Sequence, residues 1–214
     1  RLPAEQTGVS FTNFLSEARG LTNTIVNNGA GLAAGDLDGD GLCDLYFCSL
    51  EGGNKLYRNL GNWRSEDITV SAGVACPNQF STGAVLADVD GDGHVDLLVN
   101  SIGGGTRLFL NDGHAHFTER TDSGLVRRFG STSMALADID GDGDLDLYVA
   151  NYRTTSIMDE PGVRFTLSTV NGQPVVTKVN GVPTSSPELE GRFVVGPTGA
   201  LREAGEPDIL YHND

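Results

Sequence analysis

Three short stretches of this chain each place four carboxylates within nine residues. They are Asp36, Asp38, Asp40 and Asp44; Asp88, Asp90, Asp92 and Asp96; and Asp138, Asp140, Asp142 and Asp146. Counted from the first aspartate they occupy positions 1, 3, 5 and 9, with glycine at positions 4 and 6 in every copy. Acidic groups this close repel one another unless a cation neutralises them. An irregular oxygen cage on a tight turn suits a hard divalent ion, and calcium accepts such cages best. Glycine at position 6 allows the sharp reversal because it tolerates positive φ. Position 7 is expected to offer its backbone carbonyl, from Leu42, His94 or Asp144. The bland alternative is an acidic turn without metal. Twelve converging carboxylates in three complete copies weigh against it, so three calcium ions are expected, one per loop.

The flanks set these loops apart from the helical calcium hand. That motif needs a bidentate glutamate at position 12, where this chain has Phe47, Val99 and Val149. Each loop is followed by a short apolar run, Leu45-Tyr46-Phe47, Leu97-Leu98-Val99 or Leu147-Tyr148-Val149, and preceded by a small-residue apolar run. Each loop therefore joins two short strands.

The loops recur 52 and then 50 residues apart, the signature of a repeat architecture. The middle copy is cleanest, with strands expected over 82–87, 95–100, 106–111 and 116–121. Four short antiparallel strands in such a unit make one propeller blade. The near-continuous apolar runs fit strands packed on both faces. The expected fold is all-β: a β-propeller of four-stranded antiparallel blades, each with its acidic loop between first and second strands. The expected division is 1–30 (outer strand of an adjoining blade, then linker), 31–80, 81–130 and 131–214. The last blade carries an insertion over 152–206, with its own hairpin signal at Asn171-Gly172. Tyr46, Tyr57, Phe109, Phe117 and Tyr148 recur at blade positions and are expected in the core between blades. Trp63, in the turn between third and fourth strands of the first copy, is either a local plug or a contact residue.

Composition narrows the function. The net charge of −15 would repel nucleic acid phosphates. Three calcium ions would reduce it to −9, so much of the acidity belongs to the loops. No apolar run approaches the roughly 18 residues of a membrane-spanning helix. Cys43, Cys48 and Cys76 are odd in number. Cys48 and Cys76 either pair or serve as small buried apolar residues. Arg1, with no preceding methionine or leader, reads as a processed or trimmed start.

The middle unit, from Leu86 through Asp88-Val89-Asp90-Gly91-Asp92-Gly93-His94-Val95-Asp96 to Asn100, with Leu108-Phe109-Leu110-Asn111-Asp112-Gly113 and Phe117-Thr118-Glu119, resembles the FG-GAP/VCBS repeat. That is the repeat of the integrin α-subunit propeller, and the variant here is similar to bacterial VCBS proteins of the cartilage-acidic-protein type. The resemblance covers residues 9–151 and 207–214. It implies a seven- or eight-bladed ring, calcium held by the twelve aspartates named above, a secreted, periplasmic or cell-surface location, and no catalytic activity. Three calcium blades are only part of such a ring, the remainder coming from a longer polypeptide or from other chains.

Three functions are carried forward. The first is a non-catalytic calcium module for extracellular protein–protein interaction or adhesion. The second is a polysaccharide-active enzyme on a calcium propeller, which would make carbohydrate a ligand. The histidines give it little: His94 lies in a loop, His114 and His116 flank a turn, and His212 aligns with Leu110 in a third strand. No GxSxG or HExxH motif occurs. The third is a structural subunit of a surface or membrane-associated assembly, with the insertion as the contact.

Overall fold

The computed structural model describes residues 2–196 and 200–213. Arg1, residues 197–199 of the insertion and Asp214, the end of the expected last strand, lie outside the described residues.

The chain opens with two short helices, α1 (Ala4–Thr7) and α2 (Glu17–Thr22), and a 3-10 turn at Thr24–Asn28. Residues 9–14, expected as an outer strand, make one isolated bridge, Phe14 to Glu51. They otherwise run beside the first sheet, where Phe11 stacks on Phe47 with ring centroids 4.9 Å apart.

The first sheet follows in meander order: β1 (Leu32–Gly35), β2 (Asp44–Phe47), β3 (Lys55–Asn59) and β4 (Ser65–Asp67), with a helical turn α3 (Thr69–Ala72) after it. The second repeats the order: β5 (Ser81–Ala87), β6 (Asp96–Ser101), β7 (Arg107–Asn111) and β8 (Phe117–Glu119). The third begins with β9 (Ser131–Ala137) and β10 (Asp146–Asn151). The insertion then contributes β11 (Phe165–Val170), β12 (Gln173–Val179), β13 (Val182–Pro183), β14 (Phe193–Val195) and β15 (Leu201–Glu203). The chain returns to pair β16 (Ile209–Tyr211) against β10.

All pairings are antiparallel, and the loop of each repeat closes a register in which position 9 faces the residue before position 1. Asp44 pairs with Gly35, Asp96 with Ala87 and Asp146 with Ala137. Side chains of β6 alternate between two cores, as the pleat dictates. Leu97 and Val99, with Phe109, pack on Ala33, Tyr46, Cys48 and Leu56 of the first sheet. Leu98 packs the other way, with Leu147 and Val149 of the third sheet and half-buried Met134, Leu136 and Tyr211. This two-sided burial explains why β6 lacks polar alternation.

Among the aromatic residues expected in the core, Tyr46, Tyr57 and Phe109 are buried and Phe117 is half-buried. Tyr148 is an exception at 42 % exposure, whereas its counterpart Leu98 is at 2 %. Its face of the third sheet, shared with Leu210, has no further sheet against it among the described residues. Trp63 is 75 % exposed and plugs nothing. Cys48 and Cys76 are both buried free thiols. Burial, reinforced by Cys76 nearby, pushes the Cys48 thiol up to about 12.

The insertion is a separate small layer. Asn171 and Gly172 take the positive φ of a tight hairpin turn, 51° and 76°, and join β11 to β12. Its core is Ile157, Val176, Val179 and Leu189, with Phe165 and Phe193 edge-to-face beside it.

Candidate metal centre

Each acidic loop is built by the same hydrogen bonds. The aspartate at position 1 turns both oxygens inward to the backbone. Asp36 accepts from Gly39 and Gly41 at 2.8 Å each. Asp88 accepts from Gly91 and Gly93 at 2.8 and 2.9 Å, and Asp138 from Gly141 and Gly143 at 2.7 and 3.1 Å. Positions 3 and 5 each accept from the amide two residues on, in the manner of Asx turns. Asp38, Asp90 and Asp140 take the amides of Asp40, Asp92 and Asp142. Asp40, Asp92 and Asp142 take those of Leu42, His94 and Asp144. The glycines at positions 4 and 6 have φ between 73° and 103°, which a side chain would strain.

Position 9 ties the loop to the rest of its sheet. Asp44, Asp96 and Asp146 are buried. One oxygen of each accepts from the residue at position 2: Leu37, Val89 or Ile139, all at 3.0 Å. The other accepts from the last residue of the third strand, Asn59 at 2.7 Å and Asn111 at 2.9 Å, or from Asn213, two residues beyond it, at 3.0 Å. Burial raises the carboxyls of Asp44 and Asp96 above the ordinary range against these hydrogen bonds, and neighbouring loop aspartates add to the rise. A bound cation would favour the charged form.

The donor set fits a hard ion. In the loops, Asp36, Asp38 and Asp40 offer oxygens within 4.8 Å of one another, as do Asp88, Asp90 and Asp96, and Asp138, Asp140 and Asp142. The buried Asp38 Oδ2 has the Arg58 guanidinium 2.6 Å away as its partner. At position 7 the side chains point elsewhere. A methyl group on Gly113 would collide with the His94 ring, and one on Gly61 would touch Leu42. Leu42 and His94 therefore pack on the turn after the third strand, which leaves a carbonyl as their available ligand. Asp144 is exposed.

Two groups of residues near the loops went unrecognised in the sequence. The first is Asn59, Asn111 and Asn213, at or just beyond the end of the third strand in every repeat. Asn111 Nδ2 donates to Val95 O in its own sheet and to Leu37 O in the first loop, both at 2.9 Å. Asn213 Nδ2 reaches Val89 O in the second loop at 3.2 Å. Asn111 and Asn213 link one loop to the next, whereas Asn59 donates to Cys43 O of its own loop; their recurrence at matched positions was the available signal. The second is the residue just before each asparagine. Arg58 Nη2 lies 2.6 Å from Asp38 Oδ2, and His212 Nε2 lies 2.6 Å from Asp140 Oδ2. That contact holds the Asp140 carboxyl below the ordinary range. The middle repeat has Leu110 there.

The FG-GAP-like repeat model matches this chain twice, over residues 36–99 and 88–149. Cartilage acidic protein 1 from Mus musculus is 35% identical over 82 residues, covering 38% of this chain and 13% of the mouse protein. The Homo sapiens protein of that name is 34% identical over 82 residues, 38% of this chain and 12% of its own length. The Xenopus tropicalis protein is 35% identical over the same length, 13% of its own. The shared stretch is thus a small part of these relatives.

Proposed function

The chain belongs to the FG-GAP-like repeat family, and from that premise we propose that it is a non-catalytic, calcium-binding β-propeller module for extracellular protein–protein interaction. In this reading Asp36, Asp38, Asp40 and Asp44 hold one calcium ion, with the Leu42 carbonyl. Asp88, Asp90, Asp92 and Asp96 hold a second, with the His94 carbonyl. Asp138, Asp140, Asp142 and Asp146 hold a third, with the Asp144 carbonyl. The observation that carries the proposal is the shared hydrogen-bond frame of the three loops, within which three carboxylates of each loop have oxygens within 4.8 Å of one another.

Calcium supplies the positive charge that lets these carboxylates sit together. It binds a cage that the unfolded chain does not form, so binding stabilises the fold by mass action. The ion rigidifies one end of each blade, and loops elsewhere meet partners. The exposed face of the third sheet around Tyr148 and Leu210 is where a further blade of a seven- or eight-bladed ring would pack. Millimolar calcium outside the cell or in the periplasm suits such sites, and a secreted or surface location follows from that.

A second reading, a subunit of a surface assembly, draws support from the insertion. Leu167, Val170 and Val194 there are at least half exposed, and apolar residues so placed favour contact with another protein. Calorimetric calcium titration together with melting in calcium and in chelator tests the primary proposal. Binding to three sites with a large upward shift in Tm is expected. No binding and no shift would reduce the loops to acidic turns.

A further inference from the structure

The three loops share one hydrogen-bond frame but differ in what leans on them from the third strand. In the first repeat the Arg58 guanidinium lies 2.6 Å from the position-3 carboxylate of Asp38. The Asp38 side chain is 7% exposed, and the arginine is the partner of its buried oxygen. In the third repeat His212 sits at the matched place and meets the position-3 carboxylate of Asp140 at the same distance, with Asp146 Oδ1 3.9 Å away. In the second repeat the matched residue is Leu110, which has no charge or donor to offer Asp90.

We infer that the residue before the strand-end asparagine ranks the calcium sites, with the second loop binding tightest and Arg58 and His212 weakening the first and third. This rests on the calcium reading above. The physical reason is competition for one ligand. An ion in the first loop must share Asp38 with a fixed positive charge or displace it. In the third loop the imidazole occupies an Asp140 oxygen. If it turned to coordinate instead, it would offer nitrogen to an ion that prefers oxygen. Neither obstacle exists in the second loop. Other charges do not remove the difference. Asp144 adds a carboxylate to the third loop, but it is exposed and is not among the residues whose oxygens gather there. His114 and His116 line the same shallow cleft as Asp38, Asp40 and Arg58, and they add no negative charge to the first loop. A fixed unit charge such as that of Arg58, a few ångströms from the ion and partly screened by water, changes affinity by about tenfold, and His212 adds its charge only when protonated.

The test is calorimetric calcium titration of the whole chain beside Arg58→Leu, His212→Leu and Leu110→Arg, each checked for an unchanged circular dichroism spectrum. One tight and two weaker sites are expected, about tenfold apart. Arg58→Leu and His212→Leu should each move one weak site toward the tight class. Leu110→Arg should weaken the tight site by about as much. Arg58→Met and His212→Gln repeat the comparison if a leucine disturbs folding. Three equivalent sites, or affinities that none of the variants moves, would overturn the ranking while leaving calcium binding intact. Weaker binding in Arg58→Leu would overturn it too, because the arginine would then be holding Asp38 in place for the ion. Absence of any calcium binding would sink the calcium reading itself, and the ranking with it.

Discussion

The repeats and the 152–206 insertion are both small antiparallel sheets, but different forces hold them. In the repeats each sheet borrows a core from its neighbour: Tyr46, Leu56, Leu97 and Phe109 are all buried in one cluster between the first and second sheets. The insertion has one modest cluster of its own. Charge around Glu203 closes the insertion on itself, and Glu206 ties it to the start of the third sheet. Glu203 takes Arg192 at 2.7 Å and Arg153 at 3.1 Å through one oxygen, and the Ile157 amide at 2.9 Å through the other. Glu206 accepts from Gly130 at 2.6 Å and from the Thr154 amide at 3.1 Å. A repeat gains apolar burial each time a copy is added. A lone insertion has no such neighbour and must be pinned by polar clamps.

The sharpest way to separate the regions is to remove calcium. If each loop binds an ion, saturation to 100 times Kd adds about 2.7 kcal/mol per ion, so chelation should lower the melting temperature more than any single substitution. Hydrogen exchange should then speed up in β2, β6 and β10 and stay unchanged in β11 and β12. Equal loosening of both regions would show that the insertion shares the blades' stability.

Next in size is Phe109→Ala, which empties a site in the shared core and should cost about 3–5 kcal/mol in chemical denaturation. Leu189→Ala, in the insertion's smaller cluster, is expected near the lower end of its class, about 2 kcal/mol, with the blades' own transition unmoved.

Glu203→Gln attacks the clamp. It leaves Arg153 and Arg192 largely buried without their carboxylate, a loss of about 3 kcal/mol. Limited proteolysis should cut the insertion faster while blade melting holds. A blade transition that falls equally would erase the distinction drawn here.

The smallest effect concerns the blades' own cross-strand pair, Arg107 with Glu119, joined at 2.7 and 2.5 Å across β7 and β8. Hydrogen bonds from Arg107 hold the Glu119 carboxyl below the ordinary glutamate range. A depressed folded value means the pair stabilises above the unfolded value of about 4.3, and that stability is lost as pH falls through the folded value. Because both side chains are about a third exposed, the loss should stay under about 1 kcal/mol. Acid titration of stability should be shallower in Glu119→Gln by that amount.

Much of the architecture was legible because local chemistry demanded it. Aspartates at alternate positions with glycine between them leave few conformations open, and the loops form where the pattern stands. The Asn171-Gly172 hairpin was equally readable, since its two residues tolerate the positive φ of the turn. The role of Glu203 and Glu206 was not. Nothing in their local sequence marks them, and only the return of the chain toward β10 brings them to Arg153 and Gly130. Arg58 and His212 were likewise hidden, because their aspartate partners lie 20 and 72 residues away in sequence.

The sequence by itself determined the repeat, the antiparallel strands and the gathering of carboxylates at each turn. Those follow from periodicity and from the conformations that glycine and aspartate allow within a few residues. The tertiary structure decided which apolar residues became core. Leu98 and Tyr148 hold the same place in their repeats, yet one is enclosed and the other is open. Burial is a property of what lies across the gap, and no local pattern can specify a neighbour.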